Sequence, residues 1–270
     1  MNSDSAAARI DTTKPHPARR YDYWLGGKDN FPADRESADA VAEAFPTVRL
    51  AAVENRNFLR RVTGYLAREA GIRQFLDIGT GLPTAGNVHE IAQEIAPESR
   101  IVYVDNDPIV LLHARELLDS APQGATTYLD ADLRDPRRIL THPDLLATLD
   151  LTEPVALMLV AVMHFITDDQ QPYEIVRTLC DALPSGSYLV MSHATNDYLE
   201  EEDVEKTDEA NQRSGVPFQL RSGTEFAKFF AGFEFVPPGI TAVTEWRPEE
   251  WRAHPRAAAV SMLGAVAHLP

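Results

Sequence analysis

The chain has 270 residues, of which 44% are hydrophobic and 24% are charged, as in a globular protein with a sizeable core. Its net charge of −16 argues against a nucleic-acid partner and against contact with an anionic membrane. Cys180 is the only cysteine, so neither an internal disulfide nor a multi-cysteine metal site can form, and we expect a cytoplasmic protein without a metal.

The first part of the chain, residues 1–70, is predicted to be a flexible segment followed by a helical cap. Residues 1–20 are polar and lack the apolar core of a signal peptide. We expect Pro15 and Pro17 to block a helix there. Residues 34–70 have helical composition, interrupted once by proline.

The second part, residues 71–270, alternates short apolar runs with segments of helical spacing. This alternation predicts an α/β fold with a doubly wound, mostly parallel sheet of seven strands and helices on both faces. The run at 155–163 is almost wholly apolar, as in a central strand, but is far shorter than the ~20 residues of a membrane span. The predicted strands are 74–78, 100–104, 126–129, 155–163, 187–192, 233–236 and 261–267, and the predicted helices are 85–96, 108–119, 170–182, 197–214 (exposed and acidic) and 224–230.

A glycine turn follows the first of these strands. Gly79 and Gly81 stand between the strand and a helix, where glycine permits positive φ and a close approach to a ligand. The N-terminus of the following helix favours negative charge. A plain strand-to-helix turn is the alternative.

Acidic residues also end the second and third strands. Asp105 lies about 20 residues after the glycine turn, where an acid binds ribose hydroxyls in dinucleotide sites. Asp107 is the better N-cap for the next helix, so we expect Asp105 not to cap that helix and to be free to bind the ribose. Asp132 is placed either to accept a hydrogen bond from an adenine amino group or simply to solvate its loop.

Taken together, these motifs resemble those of class I S-adenosyl-L-methionine-dependent methyltransferases. Residues 18–31, with the sequence ARRYDYWLGGKDNF, resemble the opening of an actinobacterial family of S-adenosyl methyltransferases. Residues 54–56 and 264–266 fit the same family, and the resemblance extends over nearly all of the chain after residue 12. It implies a Rossmann-like methyltransferase fold with an N-terminal helical cap.

The resemblance also implies a cofactor, S-adenosyl-L-methionine, and a set of residues to bind it. A third glycine is common in this class where the chain has Pro83, so we expect a tighter loop without a third backbone contact. The implied contacts are Asp77, Gly79, Thr80 and Gly81 at the methionine end, Asp105 at the ribose, and Asn106, Asp132 and Leu133 at the adenine.

Three further side chains are candidate cofactor contacts. Tyr21 and Trp24 either form a lid, whose aromatic faces would meet the sulfonium cation, or anchor the N-terminal segment to the core. Arg56 either pairs with the cofactor carboxylate or forms a surface salt bridge.

The catalytic candidate is His164, which follows the apolar run at 155–163. An imidazole there could deprotonate or orient a nucleophile, or it could be a packed residue at the end of the strand. We expect it to lie at the carboxyl edge of the sheet and to face the donor methyl without being buried in the sheet. His193, at the end of the fifth strand, is a weaker candidate of the same kind.

The predicted function is methyl transfer to a small-molecule acceptor. We favour an oxygen acceptor because the Asp-Pro-Pro-Tyr-like motif of amino methyltransferases does not follow the fourth strand. A non-catalytic cofactor-binding sensor and an NAD-dependent oxidoreductase are the alternatives, although the latter explains neither Asp77 nor Asp132. The expected partners exclude nucleic acid and membrane, and a homodimer stays open.

Overall fold

The computed structural model describes residues 10–117, 120–249 and 251–270. The strands are β1 (Gln74–Ile78), β2 (Arg100–Asp105), β3 (Ala125–Asp130), β4 (Ala156–Val160), β5 (Tyr188–Ala194), β6 (Glu234–Phe235), β7 (Thr241–Ala242) and β8 (Met262–His268). They form an eight-stranded sheet of order β3-β2-β1-β4-β5-β8-β6, with β7 also paired to β8. Strands β1 to β5 pair in parallel, whereas β8 is antiparallel to β5.

Helices cover this sheet. They are α1 (Pro17–Trp24), α2 (Pro32–Ala44), α3 (Val48–Arg68), α4 (Val88–Ile95), α5 (Pro108–Leu117), α6 (Pro136–Leu140), α7 (Pro143–Thr148), α8 (Pro172–Cys180), α9 (Glu201–Ser214), α10 (Gly223–Ala227) and α11 (Ala257–Val260). Short 3₁₀ turns lie at Met163–Phe165, Asp168–Gln170 and Lys228–Phe230. The predicted Rossmann-like methyltransferase fold is confirmed; the additional strand is β7, which is only two residues long.

The two faces of the sheet carry separate hydrophobic clusters. Alternate residues of a strand point to opposite faces, so Leu76 packs into one cluster while Phe75 packs into the other. Helix α3 contributes Phe58 and Val62 to the second cluster, where Phe58 also meets the edge of the buried Trp246 ring. Helix α3 therefore lies on the sheet as part of the core.

The prediction that the two early prolines prevent a helix is wrong. Helix α1 begins at Pro17, which occupies the first helical turn, where its missing N–H costs no hydrogen bond. The His16 side chain caps this helix by accepting from the Ala18 amide. Residues 1–9 of the predicted flexible segment lie outside the described residues.

The fourth strand is shorter than its apolar run predicts. It ends at Val160 because Ala161 adopts a left-handed conformation with φ of 56°, which turns the chain out of the sheet. Residues Met163–Phe165 then form a 3₁₀ turn. Consequently His164 lies on a turn beyond the strand instead of directly after its last residue.

Several other elements differ in detail. Helix α9 is not wholly exposed, because Thr207, Ala210 and Asn211 are buried, and it packs against α2. Helices α6, α7 and α11 were not predicted, and the last two residues of the predicted helix at 108–119 lie outside the described residues. None of the helices in the described part of the chain is both long and apolar enough to cross a membrane.

Candidate active site

Two adjoining cavities lie where strands β1, β2 and β4 end. The larger has a volume of about 310 Å³ and contains the glycine turn. The smaller has a volume of about 90 Å³ and lies between α1, α9 and the turn after β4. Tyr21, Ala161 and Phe165 line both cavities and so form the boundary between them.

The glycine turn is compact and requires glycine at its first position. Gly79 has φ of +79°, and a Cβ atom there would lie 2.4 Å from a methyl carbon of Val162. The amides of Gly79 and Thr80 donate to the Val104 carbonyl, at 2.8 and 3.3 Å. The Thr80 hydroxyl donates to the Asp77 carbonyl. The turn is therefore fixed against β2 and forms one wall of the larger cavity.

Asp105 does not cap α5, as predicted, but it makes two local hydrogen bonds. Its Oδ2 accepts from the Gly81 amide at 2.7 Å, and its Oδ1 accepts from the Asp107 amide at 2.9 Å. Asp107 caps α5 as predicted, by accepting from the Ile109 amide. A carboxylate has about four lone-pair positions, so Asp105 keeps acceptor capacity toward the cavity.

Asp77 and Arg56 are two opposite charges beside the turn. Asp77 is buried, and this burial raises the pKa of its carboxyl to about 7, against the opposing effect of the Arg56 charge. The Arg56 guanidinium donates to the Gly86 carbonyl and, at 3.5 Å, to Asn87 Oδ1, while its buried Nε has no partner among the described residues. Arg56 lines the cavity, and no ion pair of this side chain occurs in the described part of the chain.

We expect Asp77→Asn to change how stability depends on pH. The folded-state pKa of about 7 lies above the ordinary 3.8, so the folded protein keeps a proton that the unfolded chain releases in this interval. Asp77 therefore lowers the free energy of unfolding as the pH rises through this window, and its full cost is present above it. Melting temperatures of both proteins at about pH 4.5 and about pH 8 should show a larger gain for Asp77→Asn at the higher pH. Equal gains at both pH values would contradict this explanation.

The opposite end of the larger cavity is polar. Asn106 Nδ2 donates to Asp132 Oδ2 at 3.2 Å, and the Arg134 amide donates to Asp132 Oδ1 at 2.8 Å. Leu133, which lies between Asp132 and Arg134 in the sequence, is buried and lines the same cavity. An acidic edge thus adjoins an apolar surface, a combination suited to a flat heterocycle carrying an amino group.

Helix α1 forms a further wall and is firmly held. Arg19 Nε donates to Asp107 Oδ2 at 3.2 Å, and its Nη1 lies 3.5 Å from Asp34 Oδ2, both pairs being buried. The Tyr21 hydroxyl donates to the Ala52 carbonyl and accepts from Asn55, each at 2.9 Å. The helix is therefore anchored to the core, which was one of the two hypotheses for its aromatic residues, and it also borders the larger cavity.

The two aromatic candidates occupy different places. Tyr21 lines both cavities, but Trp24 lines only the smaller one, where its Nε1 donates to the Ala38 carbonyl. The structure thus brings together every other cofactor candidate around the larger cavity. Trp24 is separated from them by the boundary residues.

His164 lies outside the sheet, as predicted, but it is buried within the protein. Its side chain lines the smaller cavity, and its Nδ1 accepts from the Ala194 amide at 3.4 Å. Burial, with the neighbouring His193, holds the pKa of His164 well below its ordinary value. The ring is therefore neutral, and with Nδ1 accepting, its hydrogen is carried by Nε2.

His193 has a structural partner. It is fully buried, its Nδ1 donates to the Ala194 carbonyl, and its Nε2 accepts from Arg221 at 2.8 Å. Arg221 also donates to the Met163 and Ile166 carbonyls and to Asp168, so it holds the segment that carries His164. His193 lines neither cavity.

Sequence reasoning missed three buried polar groups near the cavities. Arg221 stands alone in a loop, and no pattern in the sequence marked it. Asn55 accepts from Ser192, which in turn accepts from the Ala161 amide, and this chain supports the boundary between the cavities. Arg20 lies within the N-terminal motif that carried the resemblance, but its burial could not be predicted from that motif.

Comparison with known proteins decides the family. The sequence profile of the S-adenosyl methyltransferase family matches residues 3–270. The chain belongs to this family. It is an S-adenosyl-L-methionine-dependent methyltransferase, and S-adenosyl-L-methionine is its cofactor. The NAD-dependent and non-catalytic alternatives are thereby set aside.

Solved structures agree with this assignment. A DUF574 family protein from Streptomyces avermitilis is 48% identical, with a TM-score of 0.94 over 97% of this chain and 100% of that one. A candidate methyltransferase from Thermobifida fusca is 40% identical, with a TM-score of 0.88 over 96% of each chain. An O-methyltransferase family 2 protein from Planctomyces limnophilus shares the fold at 16% identity, with a TM-score of 0.51 over 88% of this chain and 66% of that one. No curated protein matches the chain.

Proposed function

We propose that this methyltransferase acts on an oxygen atom of a small molecule bound in the smaller cavity. The observation that carries the proposal is the cavity of about 90 Å³ that meets the larger one at Tyr21, Ala161 and Phe165. Together with the space across this boundary in the larger cavity, the site admits one small ring but not a nucleotide within a polymer. The net charge of −16 also disfavours a nucleic-acid acceptor.

The larger cavity offers groups for each part of the cofactor. Arg56, with its unpartnered Nε, would pair with the methionine carboxylate. Asp77 would accept from the methionine ammonium, whose positive charge would favour the ionised carboxylate over the protonated form that burial favours. Asp105 would accept from the ribose hydroxyls. The residues assigned to the adenine are Asn106, Asp132 and Leu133.

Catalysis would come mainly from positioning in a dry site. When bound, S-adenosyl-L-methionine would supply an electrophilic methyl group on sulfur and would leave as S-adenosylhomocysteine. Tyr21 and Phe165 would keep water from this line of approach, and the neutral His164 would donate a hydrogen bond that orients the acceptor. The acceptor hydroxyl would lose its proton to solvent before it enters this dry site, because none of the described residues that line the smaller cavity is a strong base.

Two observations support oxygen over nitrogen as the acceptor atom. The segment after β4 is Ala161-Val162-Met163-His164, which lacks the Asp-Pro-Pro-Tyr-like motif. In addition, the smaller cavity is lined by no carboxylate of the described residues, and its charged lining residue is Arg20. A protonated amine would be repelled there.

The proposal extends to the organisation of the protein. Residues 1–70 would act as a cap that completes both cavities, and residues 71–270 would form the cofactor-binding domain of a cytoplasmic enzyme. The contacts of α1 with Asp107 and of α3 with the sheet support this division, since the cap lies on the domain instead of beside it.

The acceptor class can be tested with methyl-labelled cofactor. We expect label to pass to small hydroxylated aromatic compounds and not to matched anilines, to bulk RNA or DNA, or to denatured protein. Label should stay low when Tyr21→Ala opens the boundary between the cavities, whereas Tyr23→Ala, on the same helix but outside both cavities, should behave as the wild type. Transfer to nucleic acid or to amines alone would contradict the proposal.

A further inference from the structure

Arg20 is a buried arginine without a carboxylate partner. Its side chain is 1% exposed, and its Nη1 donates to Ser37 and Ser214 hydroxyls, each at 3.3 Å. Its Nε has no partner, and no carboxylate of the described residues lies within 4 Å of it. Two hydroxyls leave most of the five guanidinium hydrogens without an acceptor.

The nearby acid does not compensate for this charge. Asp34 is the carboxylate that acts on Arg20 electrostatically, but it pairs with Arg19 at 3.5 Å and accepts from the His16 and Phe31 amides. Burial lowers the pKa of Arg20 only to about 10, so the guanidinium stays charged at neutral pH. A buried and uncompensated cation of this kind is costly to keep in a folded protein.

Aromatic rings surround the cavity that Arg20 lines. The Arg20 guanidinium carbon lies 5.6 Å from the Trp24 ring centre. On another wall, the His164 ring is 4.4 Å from the Phe165 ring and 5.0 Å from the Phe218 ring. Such walls suit a flat ring, which gains from edge and face contacts in addition to burial.

From this combination we infer that the acceptor is a single-ring aromatic carboxylate, whose carboxylate pairs with Arg20 while its ring lies among Trp24, Phe165 and Phe218. The inference deepens the proposed function and rests on it. A carboxylate would supply the acceptors that the guanidinium lacks, through a charge-assisted and potentially bidentate pair. A neutral ring would leave the charge uncompensated, and an ammonium compound would add a second positive charge. The volume of about 90 Å³ is below the ~150 Å³ of a protein cavity that binds benzene, so a second ring is excluded, and the single ring must extend past the boundary residues toward the larger cavity.

The test compares an acid with its amide on the full chain saturated with S-adenosylhomocysteine. Calorimetric titration with 4-hydroxybenzoate and 4-hydroxybenzamide should give at least ~tenfold tighter binding of the acid. Arg20→Met, which keeps the side-chain length and removes the charge, should abolish this preference. Arg49→Met is the matched control, because Arg49 stacks on Tyr23 at 4.6 Å but lines neither cavity, and it should keep the preference.

Each outcome is decisive. Equal binding of acid and amide, no binding of either, or a preference that persists in Arg20→Met would overturn the assignment. If Arg20→Met does not fold, NMR of the wild type replaces it: the Nε resonance of Arg20 should shift when the acid is added and stay unchanged when the amide is added. A resonance that does not shift with the acid would overturn the assignment. Failure of S-adenosylhomocysteine to bind the wild type would instead overturn the cofactor site of the proposed function, and the acceptor assignment with it.

Discussion

Asp105→Asn should lower the affinity for S-adenosyl-L-methionine by ~10²-fold. The carboxylate already accepts one backbone amide on each oxygen, so the ribose hydroxyls must use its remaining lone pairs. Asparagine has one acceptor oxygen instead of two, so its amide group would face either the Gly81 or the Asp107 amide and could not accept from a ribose hydroxyl on that side. Each charge-assisted hydrogen bond contributes ~1.5–3 kcal/mol, so weakening two of them is enough for a loss of this size.

The stability of the ligand-free variant should change little, because two effects oppose each other. The substitution weakens an acceptor for the Gly81 or the Asp107 amide, but it also removes a buried charge, whose burial raises the pKa of Asp105. Calorimetric titration and melting curves on the same samples separate affinity from folding. Asp132→Asn is the matched control at the more exposed end of the cavity, where we expect a loss of about tenfold or less. If Asp105→Asn binds S-adenosyl-L-methionine with full affinity, Asp105 does not contact the ribose, and its role is to hold the glycine turn in place.

The pattern of strands and glycines predicted the larger cavity well, because parallel strands bring their carboxyl ends to one edge of the sheet. Asp77 lies next to the end of β1, Asp105 is the last residue of β2 and Asp132 follows β3, and all three line the same cavity. What periodicity could not predict was the state of these groups. The hydrogen bond from the Gly81 amide to Asp105 depends on the exact course of the turn, and the charge state of Asp77 depends on its burial.

The sequence predicts the structure less well where the backbone conformation of a single residue ends a strand or begins a helix. The apolar run at 155–163 continues past Val160 without any break in hydropathy, yet the positive φ of Ala161 ends the strand there. Pro17 was expected to prevent a helix, but at the first turn it starts one. Ala161 lines the smaller cavity, and Pro17 begins the helix that brings Arg20 and Trp24 to it. That cavity could therefore not be foreseen from the sequence, and neither could the burial of Arg20 and His164 beside it.

His164→Ala should reduce turnover by ~10²-fold, whereas His164→Gln should retain most of it. The Nδ1 atom accepts from the Ala194 amide, which leaves the hydrogen on Nε2, and within the described residues Nε2 has no protein partner. That N–H is therefore available to the acceptor in the smaller cavity. Glutamine can present an N–H near the same position, and alanine cannot.

The pH–rate profile distinguishes this orienting role from general base catalysis. Burial and the charges of Arg20 and Arg221, together with His193, keep the pKa of His164 well below its ordinary value, so the ring is already neutral throughout the range near neutral pH. The pH–rate profile of the wild type should then have no inflection near pH 6.5, and its shape should be the same in both variants. Such an inflection would instead identify His164 as the base. Because the ring is buried, both variants should melt earlier, so rates must be compared below the transition and at saturating cofactor. His142→Ala, which alters a histidine that lines neither cavity, is the control and should leave turnover unchanged.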